Sequence, residues 1–389
     1  MKEGWEYKKL GDVCKIYNGN SINADYKKKH FLGATGGLPF IATKDVSSLG
    51  LIDYNNGVRI PNYEEYKVAP ANSVFICAEG GSAGKKFAYV EKEVCFGNKL
   101  FCIAPKDKSL TGKFVYHFVQ SDNFRGQFFS LLTGLIGGVS AKKFQTIEIP
   151  VPPLSEQQSI VDYLDSAFAK IDAMKANAEK ALNEAKTLFQ ATHKEMLEPK
   201  EGWEEKTMDD VCVLSQGLAI NSKTKHLLVE KSSIPLLRIK DMKDGTREVF
   251  VDDVNYPPKC LAHPDELIYT RTGTLGLIFT GMFGIVHNNC FKIKLDEKTL
   301  NKYYYMYFVG SDNFRNMILS IASRAAQPDI THKLFKVQKI QFPPISEQQS
   351  IVKKLDSLKL KVDRLQENYD KISPECDALK QAILRQVFE

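Results

Sequence analysis

The chain contains one phrase twice. PPLSEQQSIVDYLD occupies residues 152–165 and PPISEQQSIVKKLD occupies residues 343–356, so the two copies lie 191 residues apart. Other segments repeat in the same order, with offsets that drift from 190 to 198: 3–23 with 201–221, 38–46 with 234–242, 72–84 more weakly with 265–276, and SDNFR at 121–125 and 311–315. This period is too long for a solenoid repeat. The 389-residue chain is therefore predicted to contain two copies of one domain, each followed by its own tail.

The two large blocks, residues 1–154 and 199–345, indicate mixed structure. They contain short β-branched or aromatic runs bounded by turn residues, such as SVFICA and ELIYT, which predict short strands. The segment 111–132 and its partner around 300–322 are predicted to be helical. Each block closes with an extended stretch and a pair of prolines, which stops a strand and favours a helix start just beyond it.

The tails, residues 155–198 and 346–389, are predicted to be long helices. Ser155 and Ser346 are the expected N-caps, and Gln158 and Gln349 occupy the capping-box position. Beyond them, apolar residues follow spacings of three and four, which predicts a heptad seam. The predicted seam residues are Val161, Leu164, Phe168, Ile171, Met174, Ala178, Leu182, Ala185 and Phe189 in the first tail, and Leu355, Leu358, Val362, Leu365, Tyr369, Ile372, Cys376, Leu379 and Ile383 in the second.

The predicted fold is α+β. Two similar mixed α/β domains are expected to be separated by two long helices that pair as an antiparallel coiled coil, with a pseudo-two-fold axis. The alternative is that the two amphipathic helices pack on separate cores. Pro374 lies inside the second seam, and Ser373-Pro374 reads as a cap followed by proline, so a kink or break is expected there.

The composition points to a cytoplasmic protein. No apolar run approaches the ~18 residues of a membrane span, and the first residues, MKEGWEYKKLGD, do not resemble a signal peptide. The eight cysteines form no CxxC motif, so neither a zinc site nor a disulfide framework is expected. The net charge is +6, with 20 basic against 14 acidic residues in 1–154 and 20 against 17 in 199–345. This mild excess is compatible with an anionic partner.

No catalytic motif is found in the sequence. The stretch AEGGSAGKK (78–86) would need Gly at 79 and Ser or Thr at 86 to bind phosphate as a P-loop, but Glu79 and Lys86 stand there. His193 and His332 have no nucleophile at a recognisable spacing. We therefore expect no cofactor and no catalytic residue in this chain.

Two diverged domains, each closed by a PPxSEQQxIVxxLD phrase and a long helix, resemble the specificity (S) subunits of type I restriction–modification systems over essentially the whole chain. The resemblance implies that each globular domain is a target-recognition domain that reads one half of a bipartite DNA sequence. It also implies that the helices set the unread gap and dock two methyltransferase (modification) subunits, and that restriction subunits can join. Because the two domains differ strongly, we expect an asymmetric DNA site.

Candidate DNA-binding residues follow from charge, glycine content and repeat position. The glycine-rich loop lets backbone approach a groove, with lysines that can neutralise phosphates, and an arginine in its counterpart could pair with a guanine edge. The candidates are Lys44, Lys85, Lys86, Lys142, Lys143, Lys240, Arg271, Thr272, Thr274 and Lys333. Solvated charge in a tight hairpin is the alternative for the loop lysines and Arg271, and a structural salt bridge is the alternative for Lys44 and Lys240.

A second function remains open at this point. The chain could be a two-headed coiled-coil adaptor that binds other proteins without sequence-specific DNA binding. Salt separates the two, because phosphate-driven binding weakens steeply as salt rises whereas an apolar protein interface does not.

Overall fold

The computed structural model describes residues 4–132, 137–322 and 328–389. The chain divides into two compact units, each of which combines one globular block with parts of both tails. Unit 1 is Met1–Glu179 with Asn368–Glu389, and unit 2 is Lys180–Glu367. None of the described helices is long and apolar enough to span a lipid bilayer.

Unit 1 is built from short strands and short helices. Its strands are β1 (Glu6–Lys9), β2 (Cys14–Asn18), β3 (Leu38–Ile41), β4 (Arg59–Ile60), β5 (Val68–Ala69), β6 (Ser73–Cys77), β7 (Phe87–Val90), β8 (Val94–Phe96), β9 (Leu100–Pro105) and β10 (Glu148–Val151). Its short helices are α1 (Leu10–Val13), α2 (Ala24–His30), α3 (Gly112–Phe118), α4 (Asp122–Ser130) and α5 (Ala141–Phe144), and 3-10 turns lie at Thr43–Asp45 and Tyr63–Glu65. The sheets have the strand orders β2-β9-β6-β7, β4-β3-β8-β5 and β1-β10.

The central strand β6 shows why the sheets stack. All five of its residues are buried, and their side chains alternate between two cores. Val74 and Ile76 join the core that contains the phenylalanines of α3, α4 and α5. Phe75 and Cys77 join a second core with β8 residues such as Phe96. A strand that is apolar on both faces must be covered on both, here by helices on one face and by the second sheet on the other.

The long helix α6 (Leu154–Leu197) begins in unit 1 and ends in unit 2. The strands of unit 2 are β11 (Glu204–Thr207), β12 (Cys212–Gln216), β13 (Leu228–Val229), β14 (Ile234–Leu237), β15 (Phe250–Val251), β16 (Leu261–Ala262), β17 (Leu267–Thr270), β18 (Ile278–Phe279), β19 (Gly284–Val286), β20 (Cys290–Leu295) and β21 (Lys339–Phe342). The helices that follow α6 are α7 (Met208–Val211), α8 (Ile239–Asp244), α9 (Lys302–Val309), α10 (Asp312–Ala322), α11 (His332–Lys336) and α12 (Ile345–Phe388), with 3-10 turns at Lys225–Leu227 and Pro258–Cys260. The helix α12 begins in unit 2 and ends in unit 1.

Unit 2 repeats the topology of unit 1. Its sheets have the orders β12-β20-β17-β18, β13-β15-β14-β19-β16 and β11-β21. Each large mixed sheet contains one parallel pair, β3 with β8 and β14 with β19, and the other pairs are antiparallel. The strand β13 is an addition at one edge of the unit 2 sheet. The prediction of two similar mixed α/β domains is confirmed.

The two long helices run antiparallel where they meet within each unit. In unit 1, Lys175 of α6 pairs with Asp377 of α12 at 3.2 Å, and Lys380 pairs with Asp172, so numbers rise along one helix as they fall along the other. In unit 2, Lys186 Nζ donates to Gln366 Oε1 at 2.7 Å. The predicted antiparallel pairing is confirmed by these contacts.

The predicted seam is wrong at two positions. Met174 and Leu379 are 59% and 48% exposed, and the neighbouring Lys175 and Lys380 take the inward positions. After Ile171 the next inward residue is therefore Lys175, four positions on, and not Met174, three positions on. A lysine can take this place because its aliphatic stem packs along the helices while its ammonium group reaches an aspartate of the facing helix. Lys380 Nζ also lies 5.2 Å from the centre of the Phe168 ring. A prediction based on side-chain type alone therefore assigned the wrong residues to this layer of the seam.

The predicted N-caps are also wrong. The helix α6 begins at Leu154, and the carbonyl of Pro153 accepts its first backbone hydrogen bonds, so Ser155 already lies inside the first turn. The same holds for α12, which begins at Ile345 after Pro344. Gln158, expected in a capping box, instead bonds Asp162 one turn further on.

The first glutamine of each repeated phrase attaches the long helix to its own domain. Gln157 is fully buried, and its amide donates to the carbonyls of Ser109 and Pro152 at 2.8 and 2.9 Å while its oxygen accepts from the Thr111 N–H at 3.0 Å. We call these three bonds the glutamine latch. The repeated phrase thus serves to join each helix to its own domain.

Unit 2 has the same latch. Gln348 is fully buried, accepts from the Asn301 N–H at 2.8 Å, and donates to the carbonyls of Pro343 and Thr299 at 2.8 and 3.1 Å.

The aspartate that ends each phrase forms a second attachment. Asp165 bonds the Nε2 of buried His117 at 2.8 Å and Lys113 at 3.1 Å. In unit 2, Tyr307 donates to Asp356 at 2.6 Å. The hydrogen bond from His117, with help from Lys113, lowers the pKa of Asp165 to about 2.

The expected break at Pro374 is not present, since α12 is one helix from Ile345 to Phe388. Proline inside a helix costs ~3 kcal/mol because it lacks an N–H and its ring crowds the preceding turn. Packing offsets this cost, because Ile372, Cys376 and Phe388 on either side of the proline join the core of unit 1. Ser373 therefore does not cap a new helix.

We expect Gln157→Ala to destabilise the protein, because it leaves one buried N–H and two carbonyls without partners. The loss should be ~2–4 kcal/mol in denaturant unfolding of the full chain. Gln158→Ala is the matched control, since that side chain is exposed and bonds only within its own helix. Equal stability of the two variants would contradict the latch.

A pH dependence follows from Asp165. Its folded-state pKa lies below the unfolded value of ~3.9, so its stabilising contribution is present above that value and is lost as the pH falls toward about 2. We expect Asp165→Asn to lower the melting temperature at pH 7, with a difference from wild type that shrinks below pH ~4. Asp162→Asn, at an exposed position one turn earlier, serves as the control. A difference that does not change with pH would argue against the ionic contact.

Candidate nucleic-acid interface

In unit 1, the ends of strands β2, β9 and β6 meet at one edge of the central sheet. Because the strands are antiparallel, the carboxyl ends of β2 and β6 adjoin the amino end of β9. Backbone hydrogen bonds continue the pairing beyond the strands: Asn98 N to Asn20 O at 3.1 Å, Ala78 N to Lys99 O at 2.9 Å, and Val139 N to Ala78 O at 3.0 Å. We call residues 18–20, 97–99, 78–80 and 137–139 the strand-end row of unit 1.

Unit 2 has an equivalent strand-end row, formed by residues 216–218, 287–289, 271–273 and 328–330. Asn288 N donates to Leu218 O at 2.9 Å, and Arg271 N donates to Asn289 O at 2.9 Å. Ile330 N donates to Arg271 O at 3.1 Å, and Thr272 forms a β-bridge with Asp329. The same network therefore exists in both units.

These hydrogen bonds show which residues of the two rows are equivalent, even where the two sequences have little similarity. Arg271 takes the place of Ala78, and Thr272 takes the place of Glu79, which bridges Gly138 as Thr272 bridges Asp329. Next in line are Gly80 and Gly273, with φ of +78° and +71°. This left-handed conformation favours glycine, which has no Cβ to clash with the backbone, and this explains why both copies have a glycine at this turn.

The predicted lysines of unit 1 flank its row. Lys85 is exposed in the loop that follows the row segment 78–80. Lys86 is half-buried, and its Nζ donates to Thr43 O at 3.1 Å, which ties this loop to the turn that carries exposed Lys44. Lys142 and Lys143 are exposed on α5, directly after the row segment 137–139.

In unit 2, four of the five predicted residues lie in the row or close to it along the chain, and the fifth, Lys240, forms an ion pair elsewhere in the sequence. Arg271 and Thr272 lie in the row itself, and exposed Lys333 lies on α11 just after it. Thr274 is exposed, and its carbonyl accepts a hydrogen bond from the Thr270 hydroxyl. Lys240 is ion-paired with Glu248 at 3.0 Å, the salt bridge that the sequence analysis left open as its alternative.

Sequence reasoning missed two features, one of which lies in the rows. Asn98 and Asn288 lie at the same point of the two rows, and a carboxamide can pair with the donor and acceptor edge of adenine. The signal was present, since FGNKLF (96–101) and VHNNCF (286–291) align with Asn in the same place. The run Lys27–Lys28–Lys29–His30 was also overlooked, and it lies on α2, which buries no residue.

The histidines beside the unit 2 row do not contribute positive charge at neutral pH. Burial lowers the pKa of His287, and Arg238 lowers it further. Burial also lowers the pKa of His332, assisted by Arg271 and Lys336. Both imidazoles are therefore neutral at pH 7, and the cationic character near this row comes from lysine and arginine.

The glycine loop of unit 1 is not arranged like a nucleotide-binding loop. It leads from β6 into strand β7, so it presents no helix N-terminus to a phosphate. Within the described parts of the chain, no group of three or more His, Cys, Asp or Glu side chains is placed to hold a metal ion.

Comparison with known proteins gives a consistent result along the whole chain. The sequence is 25% identical to the specificity subunit of the type I restriction enzyme EcoKI of Escherichia coli K12 and 24% identical to that of StySPI of Salmonella potsdam; each alignment covers 100% of this chain and 89% of the relative. Among solved structures, a chain from a study of assembly and conformational transition in the type I restriction–modification system matches with a TM-score of 0.75 at 19% identity, covering 100% of this chain and 98% of the other. The HsdS subunit from Thermoanaerobacter tengcongensis matches with a TM-score of 0.63 at 20% identity, covering 100% and 97%.

The structural matches establish the shared fold, and the sequence profile establishes the family. The profile of the type I restriction modification DNA specificity domain matches twice, at residues 2–184 and 200–373, which together span most of the chain and both copies of the duplication. The chain therefore belongs to the family of type I restriction–modification DNA specificity proteins.

Proposed function

We propose that this chain is the non-catalytic DNA-recognition subunit of a type I restriction–modification complex. Each globular domain reads one half of an asymmetric bipartite site through its strand-end row. The helices α6 and α12 set the gap between the half-sites and dock two methyltransferase subunits, and restriction subunits can join that assembly. The observation that carries the proposal is that one backbone network occurs in both units, with different side chains at equivalent positions.

The differences between the rows support an asymmetric site. Equivalent positions hold Ala78 and Glu79 in unit 1 but Arg271 and Thr272 in unit 2, which offer different donors and acceptors. Sequence-specific reading of DNA depends on hydrogen bonds to base edges, so two such surfaces would select different bases. The buried strands behind them share one topology, so the scaffold is common and the reading surface is particular to each unit.

Lysines at the margins of the rows suit phosphate contacts. Lys85, Lys142 and Lys143 in unit 1 and Lys333 in unit 2 are exposed and flank the rows on loops and short helices. Phosphate contacts of this kind position a protein on the duplex without carrying sequence information.

Three of the buried cysteines are not suited to act as nucleophiles. Burial raises the pKa of Cys14, Cys212 and Cys290 to about 12, so these thiols remain protonated at neutral pH. A protonated, buried thiol is not a nucleophile. Methyl transfer in the proposed complex is performed by the modification subunits.

The first test is methylation profiling by long-read sequencing in a host that lacks DNA methylation. The modification partner would be expressed alone and together with this chain. We expect a new bipartite motif with unlike halves only when the chain is present. No new motif, with the complex shown to assemble, would contradict the proposal.

The second test is the salt dependence of DNA binding by the assembled complex. We expect the logarithm of affinity to fall linearly with the logarithm of salt concentration, with a slope of about −0.9 for each phosphate contacted. Lys142→Ala combined with Lys143→Ala should reduce the slope by up to ~2 while leaving the recognised sequence unchanged.

The matched control is Lys92→Ala combined with Lys108→Ala. These exposed lysines follow the carboxyl ends of β7 and β9, whereas the row lies at the amino ends of the two strands. Binding that is insensitive to salt would instead favour an adaptor with an apolar protein interface.

A further inference from the structure

Arg271 is held in place by two partners. Its Nε donates to Asp329 Oδ1 at 2.9 Å and its Nη2 donates to Asp329 Oδ2, while Nη1 donates to Gln216 Oε1 at 3.2 Å. Its side chain remains 19% exposed. A guanidinium has five N–H groups, and these bonds use three of them. Two donors of a fixed, planar group therefore remain at the strand-end row.

The fold does not require this arrangement. Unit 1 makes the same backbone contacts, with Val139 N on Ala78 O at 3.0 Å and a bridge between Glu79 and Gly138. Alanine and glycine stand there in place of Arg271 and Asp329, so the network forms without an ion pair. The pair in unit 2 thus orients a side chain on a scaffold that is already complete.

The charge balance indicates what the side chain binds. The positive charge of Arg271 is offset by Asp329 in direct contact, so the pair has little net attraction for a phosphate. Its remaining donors keep their fixed geometry, and two donors in one plane match two neighbouring neutral acceptors. The major-groove edge of guanine presents such a pair in O6 and N7.

We infer that Arg271, positioned by Asp329 and Gln216, reads one guanine in the half-site of unit 2. The inference rests on the proposed function and adds to it a base and a side chain. The half-site read by unit 1 has no equivalent contact, because Ala78 cannot donate from its side chain. Asp329 and Gln216 are positioning residues, since they act through Arg271.

The test uses the assembled complex and compares methylation motifs and DNA affinities of variants. Arg271→Ala should relax one guanine position in one half-site, with discrimination there falling roughly 5- to 100-fold. The other half-site and the gap should not change. Arg271→Lys should not restore discrimination, because an ammonium is a point charge and does not present a planar pair of donors.

Asp329→Asn separates positioning from general binding. The arginine would lose its compensating charge, so we expect discrimination at the same guanine to fall while binding to unrelated DNA strengthens and becomes more dependent on salt. Glu297→Gln is the matched control, because it also removes a negative charge, at an exposed position beyond the carboxyl end of β20, whereas the row lies at the amino end of that strand. The control should keep the wild-type motif.

The outcomes distinguish the inference from the proposed function. If the wild-type complex methylates no bipartite motif, the proposed function fails. If it does, but Arg271→Ala keeps every position, or weakens all sequences equally with a salt slope reduced by about one, the inference alone is overturned. Arg271→Gln, which keeps part of the aliphatic stem and the polarity of the side chain but lacks the guanidinium, repeats the test if thermal unfolding shows that Arg271→Ala does not fold.

Discussion

The buried glutamine at the start of each long helix is the contact on which the architecture depends. A carboxamide with no access to water must have its donors and acceptor satisfied, or it costs several kcal/mol. Gln157 and Gln348 meet this demand with backbone groups on both sides of the helix start, namely the loop before α3 or α9 and the proline after β10 or β21. The latch thus fixes the direction in which a helix leaves its domain, and the same phrase does so in each unit.

Beyond the latch, burial decides which positions of each unit tolerate different side chains and which do not. Strand β6 is buried on both faces, so a change in any of its side chains disturbs a packed core. Residues just past the strand ends are held by backbone hydrogen bonds, which different side chains allow, although Ala78 and Val139 also join the core of unit 1. This is why the two copies share a topology while Ala78 in one corresponds to Arg271 in the other.

Much of the fold could be read from the sequence, because the relevant signals are repetitive. The duplication, the mixed domains, the two long helices and their antiparallel pairing all follow from repeats and apolar spacing, which report burial averaged over many residues. Predictions for single positions were less accurate. Met174 and Leu379 fit the spacing by type, but lysine stems can line a seam when their charges find partners, and those partners lie on another helix. Likewise, Ser155 has the chemistry of a cap, and only the bonds made by Pro153 show that the helix starts earlier.

The candidate site divides in the same way. The sequence by itself determined that the chain has two related domains with positively charged loops at matching places, because local composition and repeat order are properties of the chain alone. The tertiary structure decided which residues meet: Lys240 pairs with Glu248, Asn98 and Asn288 lie in the rows, and Arg271 is held by Asp329, 58 residues further along the chain. These outcomes depend on hydrogen-bond register across strands and on partners distant in sequence. No local pattern specifies such partners, because they are brought together only when the sheet forms.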